Sequence, residues 1–251
     1  LMTELIRTEK LSYAFKDGTF AFKDVSLKIY DNEFIIFTGR NGSGKSIFLQ
    51  HLNALYKPTS GNIFFFGKDK TIESEIRSKI SYVFQNPDAQ IIGMTVLEDV
   101  MFGPLNAGQS KIDAKIKSKR ILKQLGMSRF ENAFPYNLSG GEKRKLAVAS
   151  TAVNDSSIVI FDEPFENLDY EGTVYVLRLM MDLRKRKKTI IVVTHDLEKV
   201  AAHSTRIIVM NKGKIAADGK PEQVCPGLAR FGVRPIKASR LKEMTWLENE
   251  A

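Results

Sequence analysis

The stretch GRNGSGKS, Gly39 to Ser46, fits G-x-x-x-x-G-K-[ST] and lies between an apolar run, Glu33 to Thr38 (EFIIFT), and a helical pattern. A loop of this kind works only where a strand turns into a helix, because its backbone N–H groups must meet the helix N-terminus to cradle an anion. The chain is thereby committed to a strand-loop-helix unit, and such units assemble into a mostly parallel sheet covered by helices. Three further runs have the length and β-branched content of buried strands: Ile80 to Phe84 (ISYVF), Ile158 to Phe161 (IVIF) and Thr189 to Thr194 (TIIVVT). Each is followed by polar residues, at the carboxyl ends of strands where open α/β sheets bind their ligands.

The rest of the pattern decorates this core. Phe15 to Ile29 alternates in strand fashion about Asp17-Gly18, which predicts an antiparallel hairpin beside the main sheet. Lys111 to Leu125 carries Ile112, Ile116, Leu122 and Leu125 on a helical stripe, with Gly126 placed as a C-terminal stop. Asn211-Lys212-Gly213-Lys214 reads as a hairpin turn. The basic run Arg184 to Lys188 follows an apolar helical pattern, where cations complement the helix dipole by about 0.3–1 kcal/mol. The net charge of +9 suits a polyanionic partner, nucleotide phosphates included. The apolar runs fall far short of the roughly 18 residues that span a bilayer. One cysteine, Cys225, forms no internal disulfide and fits a reducing cytosol. From Pro221 onward the pattern weakens into a short tail.

Within the glycine loop, Gly39, Gly42 and Gly44 let backbone N–H groups of Arg40, Asn41 and Ser43 turn inward, Lys45 reaches β- and γ-phosphates, and the Ser46 hydroxyl is a ligand for Mg²⁺. Asp162 and Glu163 end the run IVIF. Asp162 is placed to hold magnesium through its water shell, and Glu163 points at the γ-phosphate as a general base, a role that typically contributes about 10²–10⁴ in rate. His195, in Thr194-His195-Asp196, ends the next strand. Gln85 carries an amide suited to magnesium or an attacking water. His51 and His203 fall in helical stretches and read as structural. Lys214 replaces the acid that guanine recognition needs, so adenine is expected, stacked on Tyr13 or Phe15.

A second phosphate reader stands at Leu138 to Glu142 (LSGGE). Ser139 and Glu142 form the capping-box pattern of a helix start. They leave unexplained Gly140 and Gly141, each costing about 1 kcal/mol in a helix relative to alanine. Bare backbone there makes sense if an anion approaches the helix tip.

Gly39 to Ser46, Gln85, Leu138 to Glu142, Asp162-Glu163, Asn167-Leu168-Asp169 and His195 occur in the order of the ATP-binding cassette (ABC) ATPases, and residues 4–220 resemble that family. QNPDAQ followed by TVLEDVMFGPLN is most similar to the energy-coupling-factor (ECF) group, which includes ATPases of vitamin and cobalt or nickel importers. The resemblance implies a P-loop NTPase fold with an N-terminal antiparallel β subdomain and a helical signature subdomain over about 88–150. It implies that Ser139, Gly140, Gly141 and Glu142 act in trans on ATP held by a partner cassette, that Phe15 stacks on adenine, and that Asp169 lies at the dimer seam. Gln85 would link magnesium to a groove for a transmembrane partner. The expected partners are a second ABC ATPase of the same or a related chain, an integral membrane subunit and a substrate-binding membrane subunit, with no nucleic acid. The expected place is the cytoplasmic face of the membrane, with the 221–251 tail as a dimer contact. Two positions depart from the family pattern: Glu142 replaces the usual glutamine, and Phe15 a common tyrosine. The rival reading, an ABC-type ATPase acting on DNA or ribosomes, normally calls for a long coiled coil between the Gln85 and Ser139 motifs or for two cassettes per chain.

Overall fold

The computed structural model describes residues 2–68, 71–241 and 243–247. The chain opens with strands β1 (Glu4–Ala14), β2 (Phe20–Tyr30) and β3 (Phe34–Thr38), followed by helix α1 (Lys45–Leu52). Next come β4 (Ser60–Phe65), α2 (Glu73–Lys79), β5 (Ile80–Val83), α3 (Val96–Asn106), α4 (Lys111–Gln124) and α5 (Gly140–Ala152). The last part holds β6 (Ile158–Asp162), α6 (Tyr170–Lys185), β7 (Thr189–Val193), β8 (Arg206–Asn211), β9 (Lys214–Gly219) and the short α7 (Pro221–Val224).

The expected sheet is present. Six strands run in the order β5-β6-β7-β3-β8-β9, parallel except for the antiparallel edge β9. Alternation explains why these strands are apolar throughout. Ile36, Phe161, Val192 and Val209 face one buried cluster, built with α3 to α6 and the tail. Phe37, Ile160, Ile191 and Ile208 face the other, built with α1 and the N-terminal strands. Either way the side chains leave water, each worth about 1.5–3 kcal/mol when fully buried.

The N-terminal hairpin forms as expected, β1 against β2, and its turn is closed by the Thr19 N–H donating to Asp17 Oδ1 at 2.9 Å. β4, which the sequence pattern does not reveal, pairs with the other edge of β1 and completes a three-stranded antiparallel sheet. The Asn211–Lys214 turn is a two-residue hairpin in which Lys212 (φ 48°) and Gly213 (φ 73°) both have positive φ, the requirement of a type I′ turn. Its Gly213 N–H donates to Ser43 O at 3.2 Å, and its Gly213 carbonyl accepts from Lys23 N at 3.0 Å.

The predicted helix from Lys111 stops where Gly126 takes φ 66°. Its buried face is rotated from the expected stripe. Ala114, Ser118, Ile121 and Leu122 point inward, whereas Ile112 and Ile116 are 73% and 64% exposed. Leu122 and Leu125 are buried as drawn, and only the first two isoleucines are misplaced, because among the described residues no element covers that side of the first turns. The basic run does close α6, and Arg184 Nη1 donates to His203 O at 2.8 Å.

Candidate functional site

The C-terminal ends of β3, β6 and β7 meet in the middle of the sheet and deliver the glycine loop, Asp162-Glu163 and His195 to one place. Two glycines of the loop are compelled by close approach. A Cβ on Gly39 (φ 136°) would lie 2.0 Å from Met210 O, and one on Gly44 (φ 95°) would lie 2.4 Å from Ala21 O. Lys45 opens α1 and is folded back into the loop, where Nζ donates to Gly39 O at 2.8 Å and Arg40 O at 3.0 Å. Burial pushes its ammonium pKa down, with the charges of Glu163 and Asp162 opposing. Around it lies a cleft of about 380 Å³ bounded by Asn41 to Ile47, Gln85, Asp162 and Glu163.

Asp162 is 2% exposed. Its Oδ2 accepts from the Tyr82 hydroxyl at 2.7 Å, while Oδ1 is buried with no partner in the protein. Burial raises its pKa, against hydrogen bonds from Tyr82 and Ser46. An orphaned, buried carboxylate oxygen beside a serine hydroxyl, in an oxygen-lined cleft, is the donor set of a hard cation, so these residues fit magnesium. Tyr82 is a residue that sequence reasoning misses, since in ISYVF it reads as one more buried aromatic. Tyr82→Phe would leave the carboxylate without its donor, and an expected loss of about 1–3 kcal/mol should appear as a lower denaturant midpoint at unchanged m-value.

Glu163 sits at φ 48°, which a non-glycine residue adopts only when its surroundings enforce it. The enforcing contact is its own N–H donating to Val193 O at 2.9 Å, an extension of the β6–β7 ladder. The side chain then enters the cleft with Oε1 3.0 Å from His195 Nδ1. The His195 ring is 71% exposed, so it meets Glu163 on one side and open solvent on the other. Glu163 Oε1 is thereby presented to the cleft as a hydrogen-bond acceptor.

On the far side of the loop, Phe15 is 44% exposed and touches Tyr13 edge-on at 5.5 Å. Tyr13 is packed among Phe22, His51 and Tyr56, with ring centroids 6.4, 4.7 and 5.7 Å away. Of the two aromatics left open above, Phe15 is the one with a free face. His51 is fully buried and its Nδ1 lies 2.7 Å from Ile47 O. Its place in the aromatic cluster accounts for it structurally.

The second glycine pair opens α5. Ser139 and Glu142 form the full capping box, with Glu142 Oε2 accepting from both Ser139 N and Ser139 Oγ at 2.8 Å. Burial acts to raise the Glu142 pKa, but the two Ser139 donors with Lys145 and Arg129 nearby pull it below its usual value. The charge of Glu142 is thus used inside the cap. The two glycines have different reasons. A Cβ on Gly141 would come 2.9 Å from Asn167 O of the same chain, so its bareness is a packing requirement and needs no ligand. A Cβ on Gly140 would meet nothing within 4 Å. Packing within the chain thus accounts for the bareness of Gly141, and no contact within the chain accounts for that of Gly140. The hollow lined by Ser139, Gly141, Lys145 and Asp169, about 480 Å³, shares no residue with the Lys45 cleft. Asp169 is exposed, and its Oδ1 caps α6 by accepting from Gly172 N at 2.7 Å.

Arg144 also goes unnoticed in the basic run of α5. It is 2% exposed and donates to Phe84 O at 3.0 Å and to Glu166 Oε2 at 3.3 Å. Gln90 adds a second tie, its Oε1 accepting from Phe84 N at 3.2 Å and its Nε2 donating to Thr151 Oγ1 at 2.6 Å. α5 is therefore bound to the segment that carries Gln85 through Arg144 near its start and Thr151 near its end, and Arg144 also ties it to the loop after Glu163. Among the described residues no group of three or more His, Cys, Asp or Glu side chains is placed to hold a metal by itself, and no helix is long and apolar enough to cross a membrane.

Comparison with known proteins agrees with this arrangement. Residues 22–166 match the family model described as ABC transporter. An energy-coupling factor transporter ATP-binding protein, EcfA, from Methanocaldococcus jannaschii is 38% identical over 98% of this chain and 90% of its own length. An EcfA from Methanosphaera stadtmanae is 38% identical over 89% of this chain and 82% of its own. Among solved structures, cbiO1 from Clostridium perfringens, titled part of the ABC transporter complex cbiONQ, superposes with a TM-score of 0.77 at 31% identity, covering 88% of this chain and 90% of that one. The ATP-binding cassette MJ0796, in a dimeric post-hydrolysis state bound to ADP and Pi, superposes with a TM-score of 0.79 at 30% identity, covering 86% and 99%. With its glycine loop, its strand-end acids and its second helix tip all in the cassette order, this chain belongs to the ATP-binding proteins of the ABC transporters, in the energy-coupling-factor group.

Proposed function

We propose that the chain binds Mg·ATP at Gly39 to Ser46 and pairs head to tail with a second cassette, of the same or a related chain, and that hydrolysis reopens the pair to drive an ECF-type importer of a vitamin or a transition-metal ion. The observation that carries the pairing is the separation of the two phosphate readers. Lys45 and Ser139 line hollows with no residue in common, so in this reading the Ser139 end of α5 serves a nucleotide held elsewhere, while Gly140 lines the groove that runs past Ser46, Gln85 and Asp162. In this reading Glu163 takes the proton of the attacking water, His195 orients Glu163 and senses the γ-phosphate, and Phe15 stacks on adenine. Ser46, Gln85 and, through water, Asp162 hold magnesium, which when bound neutralises phosphate charge. Ser139, Gly140, Gly141 and the cap held by Glu142 complete the partner's site, with Asp169 at the seam.

Residues 4–220 are then the nucleotide-binding domain, with about 88–150 as its helical part. A depression of about 410 Å³ behind Phe84 exposes Leu55, Ile92 and Phe102 at 39%, 59% and 49%. It suits an apolar segment of an integral membrane subunit, which would hold the chain peripherally at the cytoplasmic face. Moving such an assembly from 1:99 to 99:1 between two states needs about 5.5 kcal/mol of differential binding. The transported solute meets only the membrane subunits, one of them the solute-binding subunit. Between Gln85 and Ser139 the longest helix is α4, with 14 residues, so nothing there resembles the coiled coil of a DNA-acting relative.

Affinity purification from native membranes tests the reading. An integral membrane chain and a second ABC ATPase should co-purify in fixed ratio. Recovery with DNA or ribosomes in their place would overturn it.

A further inference from the structure

The segment after β9 is built into the core. Val224, Cys225, Leu228, Val233, Ile236 and Leu241 are buried in the same cluster as α5 and α6. Its course then brings three side chains against the site loops. Arg234 Nη1 lies 3.0 Å from Glu198 Oε1, and Thr245 Oγ1 lies 3.2 Å from His203 Nε2. The Trp246 indole stacks on Tyr170 with centroids 5.5 Å apart and 27° between the planes.

Lys199 completes the contact. Its Nζ stands 5.5 Å over the Trp246 ring and 5.8 Å over the Phe165 ring, and 3.0 Å from Asp196 Oδ2. The places these partners occupy give the contact its meaning. Tyr170 is the first residue of α6 and follows Asp169 directly. Lys199 ends the turn Leu197–Lys199, which starts two residues after His195. Phe165 lies in the loop between Glu163 and Asp169. The indole ring therefore ties the start of α6 to the turn after β7, and Lys199 carries the contact on to Phe165 in the loop after β6. The Arg234–Glu198 pair is exposed and screened by solvent, so it adds little. The stacked ring with a cation over its face is the contact that holds.

We propose that Trp246 is a positioning residue for the ATPase reaction, fixing the spans that carry His195 and Asp169 in register with Glu163. The inference rests on the roles given to those three residues under the proposed function. Trp246 lines no part of the Lys45 cleft, so its loss leaves ATP capture unchanged and acts on turnover.

The test uses the full chain in its membrane complex, with Trp246→Ala, Trp246→Phe and Glu163→Gln measured side by side. Trp246→Ala should lower kcat roughly three- to tenfold, the scale of losing one aromatic contact, with KM for ATP within about twofold. Trp246→Phe should restore most of the rate, because it keeps a ring between Tyr170 and Lys199. A wild-type kcat in Trp246→Ala, a loss that Phe does not restore, or a raised KM at constant kcat would each overturn the inference. Should the alanine variant fail to fold, Lys199→Met, which removes the cation from both rings, must show the same selective fall in kcat. Turnover surviving in Glu163→Gln would refute the underlying site reading, whereas an inactive Glu163→Gln beside a fully active Trp246→Ala would refute only the role of the tail.

Discussion

Glu163→Gln is expected to cut steady-state ATP turnover by about 10²–10⁴-fold while leaving Mg·ATP binding intact and trapping a nucleotide-bound dimer. Glutamine matches glutamate in shape. It can occupy the same φ of 48°, because the enforcing contact is made by the backbone N–H to Val193 O at 2.9 Å and not by the side chain. An amide can still meet His195 Nδ1 across the 3.0 Å gap. What it cannot do is take a proton from water at neutral pH. Phosphate release, equilibrium binding of labelled ATP and size-exclusion chromatography measure the three parts separately. A rate within twofold of wild type would remove Glu163 from the base role.

Gly140→Asp should be nearly as damaging, about 10²–10³ in turnover, the cost of losing preorganised anion donors. It should leave ATP affinity of the isolated chain within about twofold. The new side chain meets nothing within 4 Å of its Cβ, and a carboxylate in the first turn of α5 suits the helix dipole, so folding is not disturbed. The same carboxylate stands where the partner's γ-phosphate would approach, and like charges at contact repel strongly in a site cleared of water. Gly141→Ala is the contrast: its methyl would press on Asn167 O at 2.9 Å and lower stability before function. Normal turnover in Gly140→Asp, with dimers forming on ATP, would end the proposal that this helix tip reads a neighbour's nucleotide.

The parts of the molecule that could be read in advance are those whose cause is local. β3, β6 and β7 announce themselves because strands buried on both faces must be apolar at every position. The glycine loop, the Lys212-Gly213 turn and the Gly126 stop are likewise set by backbone angles that few residues accept. What stayed hidden depends on distant neighbours. SGNIFF in β4 starts with polar, exposed residues and becomes a strand only because β1 offers an edge far away in sequence. Periodicity finds a stripe on α4 but not which part of it is covered, and Ile112 and Ile116 were misassigned for that reason. Tyr82 and Arg144 have ordinary neighbours in sequence, and their importance lies in partners 80 and 60 residues away. The tail after Pro221, weak in pattern, is held because its first residues pack on β8 and β9 and its apolar side chains join the cluster behind the sheet.

The β8–β9 hairpin has a mechanical consequence. Its turn is bonded to Ser43 in the glycine loop and to Lys23 in β2. The N-terminal sheet and the glycine loop are thus pinned to one another and travel as a single block, so under the proposed stacking on Phe15 both ends of a nucleotide would meet one rigid jaw. In the proposed pairing, any hinge that lets two cassettes engage lies outside this block.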